Sequence, residues 1–69
     1  MEIRFAGALF YKENQMIEEC LEQLLAIVKI DKNWQEKKAN KEILAIFKEL
    51  GNSSPLTQTY RRLLQQALH

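Results

Sequence analysis

The amino-acid sequence predicts an all-α fold of four helices, arranged as two stacked αα-hairpins. Apolar residues recur with helical periodicity in four segments, and no segment alternates apolar and polar side chains as a strand would. Turn residues separate the four segments around positions 13–15, 31–33 and 51–54. Short connections of this kind place successive helices antiparallel. One small domain over residues 1–69 is therefore expected.

The first helix is predicted from about Glu2 to Lys12, and apolar residues lie on all its sides. On a helical wheel Ile3 and Phe10 lie on one side of this helix, while Phe5 and Leu9 lie on the other. A helix that is apolar all round needs cover on two faces. We therefore expect a homodimer or larger homo-oligomer, formed through the first helix. The self-association residues are expected to be Ile3, Phe5, Leu9 and Phe10.

The second helix is predicted from about Gln15 to Ile30, with Asn14 as its N-cap. Its apolar side chains cover roughly 220° of a helical wheel, which suits an inner helix of a layered array.

Within the first helix, Gly7 lowers the stability of the helix by roughly 1 kcal/mol relative to alanine. Close approach of a neighbouring helix is the expected compensation.

The third helix is predicted from about Gln35 to Leu50, with Gly51 as a left-handed C-terminal cap. Ser54 is then expected as the N-cap of the fourth helix, and Pro55 as its first residue. Loop residues between the glycine and the proline separate the two helices.

The fourth helix is predicted to end near Leu68, and His69 is expected to be untethered. Only about 140° of this helix is apolar, and polar side chains fill its other side, as in a capping helix. The first helix lacks such a polar side. We expect residues 1–33 to form a repeat hairpin and residues 34–69 a second, capping hairpin.

Composition excludes several classes of function. The net charge of +1, from 10 basic and 9 acidic side chains, provides no long-range attraction to nucleic acid or anionic membranes. Cys20 is the only cysteine and is expected to be a buried packing residue, so no internal disulfide can form and a cytosolic protein is the default. No apolar run approaches the ~20 residues that span a bilayer. One histidine and one cysteine far apart predict no zinc site.

The sequence offers no catalytic constellation and no cofactor site. Its carboxylates stand beside no nucleophile, metal ligand or glycine-rich loop, so an enzyme is not expected. Trp34 and Tyr60 could stack on a ligand, but aromatics at these positions are more often packing residues. Core and hinge packing is the favoured interpretation of both.

The first hairpin resembles a tetratricopeptide unit, a 34-residue helix–turn–helix that stacks on copies of itself. The matching positions carry small residues where paired helices approach and larger residues that fill the space between them. They are Gly7, Ala8, Tyr11, Cys20, Leu24 and Ile27. Two positions depart from the pattern: Arg4 stands where a large aromatic is usual, and Lys32 replaces the usual proline. A generic helical hairpin is the alternative interpretation.

Two further stretches look like a more specific family. One is residues 20–34, and the other joins Phe47-x2-Leu50-Gly51 to Pro55-Leu56-x3-Tyr60-Arg61-Arg62. Together they resemble the C-terminal tetratricopeptide domain of the bacterial thioredoxin-like co-chaperones, the YbbN or CnoX family. The resemblance covers the chain from about Ala6 to Leu68, and the second stretch is its most distinctive part.

The resemblance implies a cytoplasmic, non-enzymatic docking module. Members of that family are associated with holding unfolded clients and passing them to the chaperonin and Hsp70 systems. The 69 residues contain no Cys-x-x-Cys, so redox activity is not implied. The candidate partner-binding residues lie on the fourth helix. They are Arg61, Arg62, Gln65 and Leu68.

The alternative function is a small dimeric helical protein that is associated with nucleic acid or acts as a regulator. Its supporting features are the basic cluster of Lys37, Lys38 and Lys41, together with Arg61 and Arg62. Glu36 and Glu42 interrupt the lysine cluster, so a solvated helix face is favoured.

Overall fold

The computed structural model describes residues 2–68 and contains four α-helices. The helices are α1 (Glu2–Glu13), α2 (Ile17–Ile30), α3 (Lys38–Leu50) and α4 (Pro55–Leu68). Over these described residues no strand occurs, and the predicted all-α fold of four helices is confirmed. The expectation for His69 lies outside the described residues.

The central helix of the fold is α2, which packs against each of the other three helices. It contributes six of the buried apolar residues, more than any other helix. They are Cys20, Leu21, Leu24, Leu25, Ile27 and Val28. The wide apolar arc of α2 is therefore the inner surface on which the other helices lie.

The helices α1 and α3 lie side by side and run in the same direction. Near the start of both, Lys38 Nζ lies 4.8 Å from the centroid of the Phe5 ring. Further along, Lys12 Nζ donates to Glu42 Oε1 at 3.0 Å. The hydrogen bond to Glu42 raises the pKa of Lys12. Because α2 follows α1 in an antiparallel hairpin, α2 runs opposite to both.

The start of α2 differs from the prediction. The helix begins at Ile17 because Gln15 has a φ of 61°, and a left-handed residue cannot continue a right-handed helix. Asn14 is not the N-cap: its Nδ2 donates to the Phe10 carbonyl at 2.8 Å, which closes the end of α1. Met16 occupies the cap position of α2 and makes no side-chain cap hydrogen bond.

The start of α3 also differs from the prediction, which placed it at Gln35. Three consecutive residues, Gln35, Glu36 and Lys37, have φ values of 47°, 59° and 67°. We call these residues the left-handed turn. None is glycine, and a left-handed conformation costs a residue with a Cβ roughly 1–2 kcal/mol. The right-handed helix therefore begins only at Lys38.

The connection between α3 and α4 follows the predicted turn chemistry. Gly51 ends α3 with a φ of 88° and a ψ of 158°, and its N–H donates to the Phe47 carbonyl at 2.9 Å. The positive φ agrees with the prediction, but the ψ lies in an extended region that is essentially restricted to glycine. As predicted, α4 begins at Pro55, and the Ser54 carbonyl accepts a hydrogen bond from the Gln58 N–H at 3.1 Å.

Gly7 does not mark a close helix contact within the chain. Apart from its chain neighbours and the nearby backbone of its own helix, a Cβ built on Gly7 would meet no heavy atom within 4 Å. The expectation of a closely approaching neighbour is therefore wrong for the described chain.

We expect Gly7→Ala to raise the free energy of unfolding by about 0.5–1 kcal/mol, because alanine loses less backbone entropy in a helix interior. Urea denaturation of the dilute protein measures this change. Ala6→Gly, at an exposed position of the same helix, is the matched control and should lower the free energy of unfolding by a similar amount. Destabilisation by Gly7→Ala would contradict the open space around this residue.

Tyr60 of α4 packs against α2 and forms a hydrogen bond with it. Its side chain is 6% exposed, and its Oη donates to Glu22 Oε1 at 3.4 Å. Burial, together with the nearby charge of Glu22, raises the pKa of Tyr60 from 10 to about 12. The folded state therefore holds the neutral phenol at a pH where the unfolded chain ionises it.

Stability should consequently fall between pH 10 and pH 12. In this range Tyr60 holds up to one more proton in the folded chain than in the unfolded chain, so its contribution lowers the free energy of unfolding by roughly 1 kcal/mol per pH unit. Urea denaturation across this range should show that Tyr60→Phe removes this part of the decrease. Tyr11→Phe, which leaves Tyr60 in place, should retain it. Equal pH dependence in the two variants would show that Tyr60 is not the group responsible.

Candidate functional site

The helix α1 has two apolar sides, and only one of them is used by the fold. Phe5 and Ala8 are buried against the core, whereas Ile3 is 90% exposed and Phe10 60% exposed on the opposite side. We call the side that carries Ile3 and Phe10 the outer face of α1. Leu9 is half-buried on the same side as Phe5 and packs against the core. Of the four predicted self-association residues, Phe5 and Leu9 therefore pack within their own chain.

The exposed apolar surface continues from α1 onto the end of α2. Ile30 is 64% exposed and, with Ile3, Arg4 and Gln23, it lines an open depression of about 470 Å³. Arg4 stands where tetratricopeptide units usually carry a large aromatic, so a charged group replaces a bulky apolar one beside this depression. Ile3 and Ile30 both contact water in the single chain.

A second surface is the cleft between the beginnings of α1 and α3. Its volume is about 230 Å³. It is lined by Glu2, Phe5, Ala6, Leu9, Trp34, Gln35 and Lys38. The rings of Phe5 and Trp34 pack with centroids 5.4 Å apart at 52°, and Gln35 Nε2 donates to Glu2 Oε1 at 3.1 Å. The cleft thus has an aromatic floor and a polar rim.

The local sequence pattern does not reveal this cleft. Trp34 and Tyr60 are considered together in the prediction, but Trp34 packs against Phe5 of α1, whereas Tyr60 is buried against α2. The expectation that both aromatics are packing residues is confirmed. No local pattern relates Phe5 to Trp34, because they meet only through the parallel arrangement of α1 and α3.

The predicted docking residues on α4 do not present one uniform free surface. Arg62 and Gln65 are exposed, one helical turn apart. Arg61 Nη2 instead donates to Asn52 Oδ1 at 2.9 Å, and its guanidinium lies 5.8 Å from the Phe47 ring centroid. Leu68 is half-buried against the core. Arg61 and Leu68 therefore also support their own fold.

The remaining candidates have plain structural environments. Cys20 is fully buried, and burial raises the pKa of its thiol, so the reactive thiolate is disfavoured. In the basic cluster Lys38 lies over the Phe5 ring and Lys37 lies in the left-handed turn, while Lys41 is exposed. Within residues 2–68, no group of three or more potential metal ligands occurs, and no helix is long and apolar enough to cross a membrane.

Comparison with known proteins agrees with this architecture. The chain matches the tetratricopeptide repeat family over residues 1–69. No curated protein and no solved structure matches it. Domains of this family are non-catalytic and generally mediate protein–protein interaction. With four helices in the predicted order and a family match over its whole length, the chain belongs to the tetratricopeptide repeat family.

Proposed function

We propose that this chain is a non-enzymatic docking module that binds protein through the outer face of α1. The observation that carries the proposal is the exposure of Ile3 and Phe10, at 90% and 60%, on the side of α1 that faces away from the core. Together with Ile30 these side chains place apolar surface in water across two helices. Surfaces of this kind mark interfaces when they are contiguous.

A second copy of the chain is the first partner that we propose for this face. Ile3 and Phe10 would lie at the centre of the contact, while Phe5 and Leu9 support α1 from the side that packs on the core. A tetratricopeptide hairpin cannot bury its apolar faces alone, and stacking is how such hairpins cover them. Homo-oligomerisation would cover this face in the same way.

The finer proposal is that the chain is the C-terminal docking domain of a cytoplasmic thioredoxin-like co-chaperone. The resemblance of the Phe47-to-Arg62 stretch supports it. These residues build the corner between α3 and α4, where Arg61 joins Asn52 and lies over Phe47. The partners would then be unfolded clients, the chaperonin or the Hsp70 system. On α4, Arg62 and Gln65 would make the docking contact, flanked by Arg61 and Leu68.

We expect Phe10→Glu to weaken self-association at least tenfold, since it places a charge where an apolar contact excludes water. Analytical ultracentrifugation over a range of concentrations measures the dissociation constant. Leu44→Glu is the matched control, because Leu44 is 52% exposed on α3, away from the outer face of α1. Unchanged association of the Phe10→Glu chain, or a monomer at every concentration of the unsubstituted chain, would refute the proposed dimer.

We expect Arg62→Glu to weaken binding to the chaperonin, to Hsp70 or to an unfolded client by roughly tenfold, the effect of losing a charged contact. Surface plasmon resonance against each immobilised partner measures it. Arg62 is preferred to Arg61, whose replacement would also remove the hydrogen bond to Asn52. Lys48→Glu, at an exposed position of α3, is the charge-matched control. If the unsubstituted chain bound none of these partners, the co-chaperone proposal would fall and the α1 proposal would stand.

A further inference from the structure

We infer that the left-handed turn is a strained hinge, and that two copies of this chain exchange their α3–α4 hairpins when it straightens. The partner is a second copy of the chain, held by exchanged core contacts rather than by the outer face of α1. The inference is independent of the docking function proposed above. In the backbone of residues 35–37, three successive φ values lie between 47° and 67°.

The sequence of this connection does not favour the conformation that it adopts. Residues 31–37 are Asp-Lys-Asn-Trp-Gln-Glu-Lys, with neither glycine nor proline. Glycine is the residue that takes left-handed conformations at no steric cost, whereas glutamine, glutamate and lysine are good formers of right-handed helix. Local hydrogen bonds hold the turn in place of helical ones. The Asn33 N–H donates to Asp31 Oδ1 at 3.0 Å, and the backbone N–H groups of Trp34, Glu36 and Lys38 each donate at 3.1 Å, to the carbonyls of Asp31, Asn33 and Trp34 respectively. Strain and sequence therefore both favour a helical connection.

A helical connection cannot form within one compact copy. It would join α2 and α3 into a single helix from Ile17 to Leu50, about 50 Å long at 1.5 Å per residue. The folded chain extends only 29 Å along its longest axis. Straightening would separate α3 from α2 and expose the buried side chains of both. These side chains are covered again only if another copy supplies an identical α3–α4 hairpin.

A second copy can restore the contacts that the first copy loses, because its α3–α4 hairpin has the same sequence. Ile43, Ile46 and Phe47 of one copy would occupy the same positions against α2 of the other. The exchange is reciprocal, so the contact is closed and two-fold symmetric. Native contacts are retained while the strain of two turns is relieved. Hinge loops under strain are known to favour such exchange.

One consequence concerns the cleft between α1 and α3. In the exchanged dimer Phe5 and Leu9 would come from one copy, and Lys38 from the other. The ion pair of Lys12 with Glu42 would likewise join two copies. Any ligand of this cleft would then bind across the dimer.

The test measures the distance between the beginning of α2 and the end of α3 within one chain. Spin labels are attached to cysteines introduced at the exposed positions Glu19 and Lys48, in a chain whose buried Cys20 is replaced by alanine. The protein is refolded at high concentration with a tenfold excess of unlabelled chain, so that pulsed electron paramagnetic resonance reports intrachain distances. The dimer is then isolated by size exclusion. Circular dichroism verifies that the labelled chain is folded.

In the exchanged dimer the labelled positions lie about 44 Å apart along one helix. In the closed chain they lie at the same end of an antiparallel pair, well within the 29 Å extent of the fold. A component near 44 Å in the dimer supports the exchange. A dimer with only the short distance, or a chain that remains monomeric after concentrated refolding, overturns it. The same measurement in the Phe10→Glu chain separates exchange from association through the outer face of α1.

Two substitutions at the exposed position of Glu36 test whether strain in the left-handed turn causes the exchange. Glu36→Gly relieves the left-handed strain in the closed chain and weakens a continuous helix, so the exchanged fraction should fall at least about tenfold. Glu36→Ala keeps the strain and favours the helix, so the exchanged fraction should stay the same or rise. An equal exchanged fraction in the two variants would show that strain in the left-handed turn does not drive exchange.

Discussion

The packing of α2 is the constraint on which the rest of the structure depends. Six of its side chains are buried, and each of the other helices lies against it. Burying a leucine or isoleucine side chain contributes roughly 1.5–3 kcal/mol, so α2 provides much of the stabilisation of a chain of 69 residues. By contrast, α3 and α4 contact each other little beyond the corner at Arg61. The helices α1, α3 and α4 are therefore positioned by a common neighbour more than by one another.

This arrangement explains which parts of the fold could be predicted. Helical periodicity reveals the four segments, and Gly51 with Pro55 marks a turn whose chemistry is local. The starts of α2 and α3 could not be predicted as well. Gln15 and the left-handed turn break the helices with residues that usually continue them, so tertiary packing, and not residue preference, decides where these helices begin.

The sequence predicts less of the candidate surfaces than of the fold, because these surfaces also depend on how the helices pack together. Apolar residues on all sides of α1 predict that one side remains uncovered, but they do not identify that side. The position of α2 decides that Phe5 is buried and that Ile3 is exposed. Arg61 and Phe47 belong to different helices, and the cleft at Trp34 needs α1 and α3 side by side. These contacts are properties of the assembled fold.

The small size of the chain limits both its stability and how much apolar surface it can cover. A domain of this size buries only about 60% of the surface that its unfolded chain exposes. Ile3 and Phe10 on α1 and Ile30 at the end of α2 remain in water. A partner that covers these side chains adds its binding free energy to the stability of the fold. In the proposed function, the surface by which tetratricopeptide hairpins stack is also the surface by which this chain recognises a protein partner.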